Sequence, residues 1–139
     1  MSEDWYEAER LHRAADDGDP AEIERLVAAG YDVNLFDDMG RAPLHYAAAG
    51  GRLEAIAALL GDGAPVNAND EATIGETPLA LAVQEASVDA VRLLLDAGAD
   101  PDIVGWMGHT ARSRACSRRD AIGREMCRLI SASSTTSRS

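Results

Sequence analysis

Residues 40–67, GRAPLHYAAAGGRLEAIAALLGDGAPVN, and residues 75–102, GETPLALAVQEASVDAVRLLLDAGADPD, are two versions of one pattern. Gly40 and Gly75, Pro43 and Pro78, Leu44 and Leu79, and Gly63 and Gly98 each stand 35 residues apart. A looser copy precedes them by 33 residues, carrying Leu11 to Leu44, His12 to His45, Gly18 to Gly51, Gly30 to Gly63 and Asn34 to Asn67. A period of this length is one supersecondary unit per repeat, too small to bury its own apolar face, so neighbouring units must stack. The spacing therefore excludes a chain wrapped around one central cluster. It also favours function through surfaces over function in an enclosed chamber.

The stretch GRAPLHYAA from Gly40 to Ala48, followed by Leu59-Leu60, Gly63-Ala64 and Asn67, resembles the ankyrin repeat. That family's pattern runs GxTPLHxAA, a Gly, a branched residue with Leu-Leu, then Gly-Ala and Asn. The resemblance covers Leu11 to Ile130, closest in the middle two units and weakest in the last. It implies an all-α solenoid of four stacked helix-turn-helix units with projecting hairpin or loop fingers. The units fall at about residues 4–36, 37–69, 70–104 and 105–132, with a disordered tail over 133–139.

The residues support that division locally. A first helix is expected from near Asp4, with Glu7 as its capping partner and Trp5, Ala8, Leu11, Ala14 and Ala15 on one side. Asp19-Pro20 and Glu22 form a second start signal, and Gly30 ends the helix that follows. Pro43 opens a short helix burying Leu44, Ala47 and Ala48; Leu53, Ile56, Leu59 and Leu60 form the inner stripe of its return helix. Unit three repeats the plan with Leu79, Ala82, Val83, Val88, Val91, Leu94 and Leu95. In unit four Arg112 occupies the place of the buried Leu. Met126, Leu129 and Ile130 align only after a two-residue insertion, and six arginines (Arg112, Arg114, Arg118, Arg119, Arg124, Arg128) give it the polar outer face of a C-terminal cap. Between the units, the middle finger is two residues longer than the first.

Charge narrows the partner. Residues 1–105 hold six Arg and 22 acids, a net −16, whereas residues 106–139 hold seven Arg and two acids, a net +5. An acidic body repels phosphate backbones, which argues against nucleic acid and points to a protein with a basic surface. No run approaches the roughly 18 apolar residues of a membrane span, and the acidic start MSEDWYEAER is unlike a secretory signal. The expected setting is the cytoplasm, with the chain a monomer on its own. Cys116 and Cys127 then read as buried, reduced thiols, since a spacing of 11 residues fits no zinc motif.

Chemistry is not expected. The resemblance makes His45, and His12 one unit earlier, braces for the neighbouring turn. Ala42 replaces the motif's Thr beside His45, which weakens that brace, while Thr77 and Thr110 keep the hydroxyl without the imidazole. No phosphate loop, HExxH helix or nucleophile elbow appears, so no enzyme activity and no cofactor or metal is expected.

What remains is a surface. By resemblance, ankyrin partners sit against the finger tips and the exposed side of each unit's first helix, the concave face. The tips offer Phe36, Asp38, Met39 and Arg41, then Ile74 and Glu76, then Trp106, Met107 and His109; Leu35 and Val104 flank them. The helices offer Asp16 and Asp17, Tyr46 and Ala49, Gln84 and Glu85, and Ser117 and Arg118. Phe36 and Trp106, with Met39 and Met107 beside them, are the candidate apolar anchors in an aromatic-poor chain. Protein binding is the leading reading. Blocking an enzyme or toxin as an inhibitor or immunity-type protein, or serving as a structural subunit of a larger complex, are the alternatives.

Overall fold

The computed structural model describes residues 9–37, 40–69 and 76–137. Among these residues are eight α-helices: α1 Arg10–Asp17, α2 Pro20–Ala28, α3 Pro43–Ala49, α4 Leu53–Gly61, α5 Pro78–Gln84, α6 Val88–Asp96, α7 Ala111–Ser117 and α8 Ala121–Ser137. A short 3-10 turn, Trp106–Gly108, precedes α7. Among the described residues there is no β-strand.

The helices pair within units and stack between them. Helices α1, α3, α5 and α7 pack in one inner row, each against the next, and α2, α4, α6 and α8 form a parallel outer row. This is the all-α solenoid that the period requires. Local chemistry sets the helix starts. Pro20, Pro43 and Pro78 each stand in the first turn, where the missing N–H leaves nothing unsatisfied. Asp19 caps α2 by accepting from the Glu22 N–H at 3.2 Å, and Thr77 caps α5 by accepting from the Ala80 N–H at 3.1 Å.

Side chains at equivalent positions form ladders through the stack. Leu11, Leu44 and Leu79 are all buried, as are Ile23, Ile56 and Val91, and Leu26, Leu59 and Leu94. Each such Leu contributes roughly 1.5–3 kcal/mol, and an interior rung is shared with the unit on either side. Ala14, Ala47, Ala82 and Ala115 make the inner-row ladder, their small size letting successive helices approach closely.

Several expectations need correction. Leu53 is 38% exposed rather than part of the inner stripe, and Ala55 is buried in its stead. At 3.6 residues per turn, Leu53 sits roughly 110° round from the centre of the face that Ala55, Ile56 and Leu59 share. Val88, Leu60 and Leu129 border the core, only partly buried. The last helix runs to Ser137, into the stretch read as tail. Asp4, Trp5, Glu7 and Ala8, and the longer middle finger over 70–75, lie outside the described residues.

The cysteines differ most. Cys116 and Cys127 form a disulfide joining α7 to α8, with Cα atoms 4.9 Å apart; Cys116 is exposed and Cys127 half-buried. The reading of buried, reduced thiols is therefore wrong. Cys116 occupies the repeat position of Ala15, Ala48 and Val83, and is exposed where they are buried. Helix α8 brings Cys127 opposite it across the helical hairpin, within the separation a disulfide spans.

Candidate functional site

The first and third fingers close in the same way. The Asp37 N–H donates to the Arg41 carbonyl at 2.9 Å and the Gly40 N–H to the Asp37 carbonyl at 3.0 Å. Sixty-eight residues later the Gly105 N–H donates to the His109 carbonyl at 2.8 Å and the Gly108 N–H to the Gly105 carbonyl at 3.1 Å. Gly40 at φ 75° and Gly108 at φ 78° take the left-handed conformation that lets each tip turn back.

The inner helices pin these fingers from below. His12 on α1 lies with Nε2 2.8 Å from the Leu35 carbonyl and 3.1 Å from the Arg41 carbonyl, so its N–H is shared between two finger acceptors. Its ring stands edge-on to Tyr46, centroids 5.8 Å apart. The Tyr46 hydroxyl donates to Asp37, and the Arg41 guanidinium lies 5.7 Å from the centre of the Tyr46 ring. Burial first, then the bond to the Asp37 carboxylate, holds the Tyr46 hydroxyl protonated far above its usual range. Asp37 also accepts from the Arg41 N–H at 3.0 Å. Tyr46 and Arg41 thus act mainly as struts of the first finger.

His45 repeats the device one unit on. Its Nδ1 accepts from the Ala42 N–H at 2.9 Å, and its Nε2–H donates to the Glu76 carbonyl at 2.6 Å. Ala42 offers no capping oxygen to α3, yet the brace is formed, with both imidazole nitrogens engaged. In unit four Thr110 and Ser113 exchange the capping bonds instead, at 2.9 and 3.0 Å.

Of the residues proposed for contact, the structure leaves several outward. Phe36 is 37% exposed, its ring tilted 6.3 Å from His45, so it both packs and presents an edge. Met107 is 73% exposed and Val104 64%, while Gln84, Glu85 and His109 are also exposed. Glu76 is not a free tip: its carboxylate pairs with Arg114 at 2.6 Å, with side-chain exposures of 12% and 19%. Trp106 opens the 3-10 turn of the third finger. Asp38, Met39 and Ile74 lie outside the described residues.

One grouping was not foreseen. Val83, Gln84, His109, Arg114, Ser117 and Arg118 line a cavity of about 240 Å³ between α5, the third finger and α7. Arg114 had been assigned to the polar outer face of the cap. It stands instead on the inner row, at the repeat position of Tyr46 and Leu81, which was the available signal. Arg112, in the place of the buried Leu, pairs with Asp102 at 2.7 Å and holds that carboxyl below its usual range. Among the described residues no group of His, Cys, Asp or Glu could hold a metal ion, and no helix is long and apolar enough to cross a membrane.

Stacked helix pairs, equivalent finger closures and a His brace between units are the marks of one repeat type, and the ankyrin-repeat family model matches residues 11–105 as three copies. The chain belongs to the ankyrin-repeat family. It is 38% identical to zygote-specific protein 3 of Chlamydomonas reinhardtii over 72% of this chain and 26% of that one. It is 34% identical to the ankyrin repeat protein nuc-2 of Neurospora crassa, over 82% of this chain and 11% of the other. A putative ankyrin repeat-containing protein of Treponema pallidum is 35% identical over 76% of this chain and 35% of its own length. The chain therefore spans only about a tenth to a third of these relatives. Ankyrin repeats are in general protein-interaction modules and not catalytic ones.

Proposed function

We propose that this chain holds a partner protein on the face formed by its fingers and inner helices. The observation that carries this reading is the pairing of exposed apolar side chains with immobilised fingers. Leu35 and Phe36 project from a finger tied down by His12 and Tyr46, and Val104 and Met107 from one closed by Gly105 and His109. Exposed apolar groups on a preformed support lose little conformational freedom on binding, so more of their burial is available as affinity.

The acidic body, net −16 over residues 1–105, favours a partner with a basic surface through steering and complementarity. The chain acts as a monomer without a cofactor. In the cytoplasm, where thiols are kept reduced, Cys116 and Cys127 would be open, whereas an oxidising compartment would keep them joined.

The test is affinity capture from the source organism, comparing the parent chain with a Phe36→Ala/Met107→Ala double variant. The reading expects one dominant protein to be lost from the variant while its melting temperature stays within a degree or two of the parent's (about 0.5 kcal/mol). Equal capture by both chains would remove these fingers from the interface.

A further inference from the structure

We infer that the cavity between α5, the third finger and α7 is a subsite for a carboxylate side chain of the bound protein. The inference rests on the protein-binding reading above and gives one part of that face a defined chemistry. The chain has 24 acidic residues, yet the side chains lining this cavity are two guanidiniums, an imidazole, an amide and a hydroxyl around Val83, with no carboxylate among them. Every polar group there can donate a hydrogen bond, so an occupant rich in acceptors, such as a carboxylate, is complementary.

The donors are held in place from outside the cavity. Glu76 grips Arg114 at 2.6 Å and Gln84 lies 3.5 Å from its other terminal nitrogen. Asp120 grips Arg118 through two nitrogens, at 3.2 and 2.7 Å. Those carboxylates moderate the local charge, but they also fix both guanidiniums before anything binds, which removes an ordering cost. The Nε atom of Arg114 and the Oε1 atom of Glu76 are both buried without a hydrogen-bond partner, so this pair is held through one terminal nitrogen and one oxygen. A volume of about 240 Å³ admits one side chain, not a folded domain.

The consequence is a polarised binding face. Asp16 and Asp17 stand at its start and Arg114 and Arg118 at its end, so the partner's complementary segment carries base towards the first unit and acid towards the last. A uniformly basic partner would meet the wrong charge at α7.

The experiment is a nuclear magnetic resonance titration of the full chain with three probes: a capped Gly-Glu-Glu-Gly peptide, its Gly-Gln-Gln-Gly counterpart and inorganic phosphate. The expected result is a saturable, salt-sensitive shift of the Arg114 and Arg118 side-chain resonances and of His109 with the Glu peptide. Binding of the Gln peptide and of phosphate should be weaker by about tenfold or more. Arg118→Gln should weaken the Glu peptide about tenfold; Arg119→Gln, outside the cavity, should not. Ser117→Ala, which leaves both ion pairs intact, should weaken it to a lesser degree. Equal shifts from the Glu and Gln peptides, shifts confined to other units, or phosphate binding as tightly as the Glu peptide would each overturn the subsite. None of these outcomes touches the Phe36/Met107 test, so the subsite can fail while the binding face stands.

Discussion

The imidazole of His45 bridges two units, donating from Nε2 to the carbonyl of Glu76, 31 residues away and 2.6 Å distant, while its Nδ1 accepts the Ala42 N–H. Both nitrogens are committed, one as donor and one as acceptor, so the bonded form is the neutral imidazole. Burial is the largest cause lowering its pKa from 6.5, partly offset by the bond to Glu76. Protonation would turn the Nδ1 acceptor into a donor aimed at another N–H. As pH falls through 6.5, the unfolded chain takes up a proton before the folded one does, so stability is lost in that window. Melting temperature should fall between about pH 7 and pH 5, and His45→Gln should flatten that slope while lowering stability at neutral pH by about 1–3 kcal/mol. Parallel slopes for the two proteins would show that His45 does not titrate on unfolding.

Ala86 stands at φ 61°, at the position where the two preceding units have Gly18 at φ 73° and Gly51 at φ 66°. In the first three units the turn between paired helices takes the left-handed conformation, and of these only the third makes it with a Cβ. Ala86→Gly should relieve about 1–2 kcal/mol of backbone strain and give back about 0.4–1 kcal/mol through the freer unfolded chain. A net gain of about 0.5–1 kcal/mol is expected, read as a higher denaturant midpoint at unchanged slope. A loss would mean that the turn accommodates Ala without strain.

Gly123 carries the opposite prediction. It lies in the first turn of α8, where helix propensity alone would favour Ala by about 1 kcal/mol. A Cβ there would meet the Arg118 Cβ at 2.3 Å and the Arg118 carbonyl oxygen at 3.1 Å. The backbone of the loop between α7 and α8 is held by Asp120, which pairs with Arg118 and accepts the Gly123 N–H at 2.8 Å. Those two bonds also pull the Asp120 carboxyl down to about 2. Gly123→Ala should therefore cost about 1–3 kcal/mol in thermal melts, the usual penalty of overpacking. Neutral or improved stability would show that the loop gives way.

The fold was legible because the sequence repeats itself: the ladders of Leu11, Leu44 and Leu79, and of Leu26, Leu59 and Leu94, can be read off the period before any coordinate is known. The binding face was legible only in outline. Gln84, His109, Ser117 and Arg118 were each placed on it, but nothing in their spacing said that they share a cavity, since they come from α5, a finger and α7. Arg114 was misread because six arginines in one cap look alike as composition; only register on the inner row separates it from Arg124 and Arg128. The disulfide was missed for a similar reason. A spacing of 11 residues says nothing of two helices packed as a hairpin, which is what brings Cys116 and Cys127 together.

The Cys116–Cys127 bond is a principal tether of the fourth unit. Helix α7 buries only Ala111 and Ala115, far less apolar surface than α3 or α5, and its other anchors are ion pairs to Asp102 and Glu76. Closing a loop of 11 residues restricts the unfolded chain by an amount worth about 3 kcal/mol at most. Reduction with a dithiol should accordingly lower the melting temperature by roughly 5–10 °C. The loss should be local, with amide exchange accelerating in α7 and the start of α8 well before α3 or α5, because neighbouring units of a solenoid are only loosely coupled to a frayed end. Cys116→Ser should match the reduced protein and be indifferent to reductant. If melting and exchange are the same with and without reductant, packing between α7 and α8 suffices without the bond. In that case the arginine-lined cavity keeps its shape in either redox state; otherwise reduction loosens the helix that carries Arg114 and Arg118, and the two properties change together.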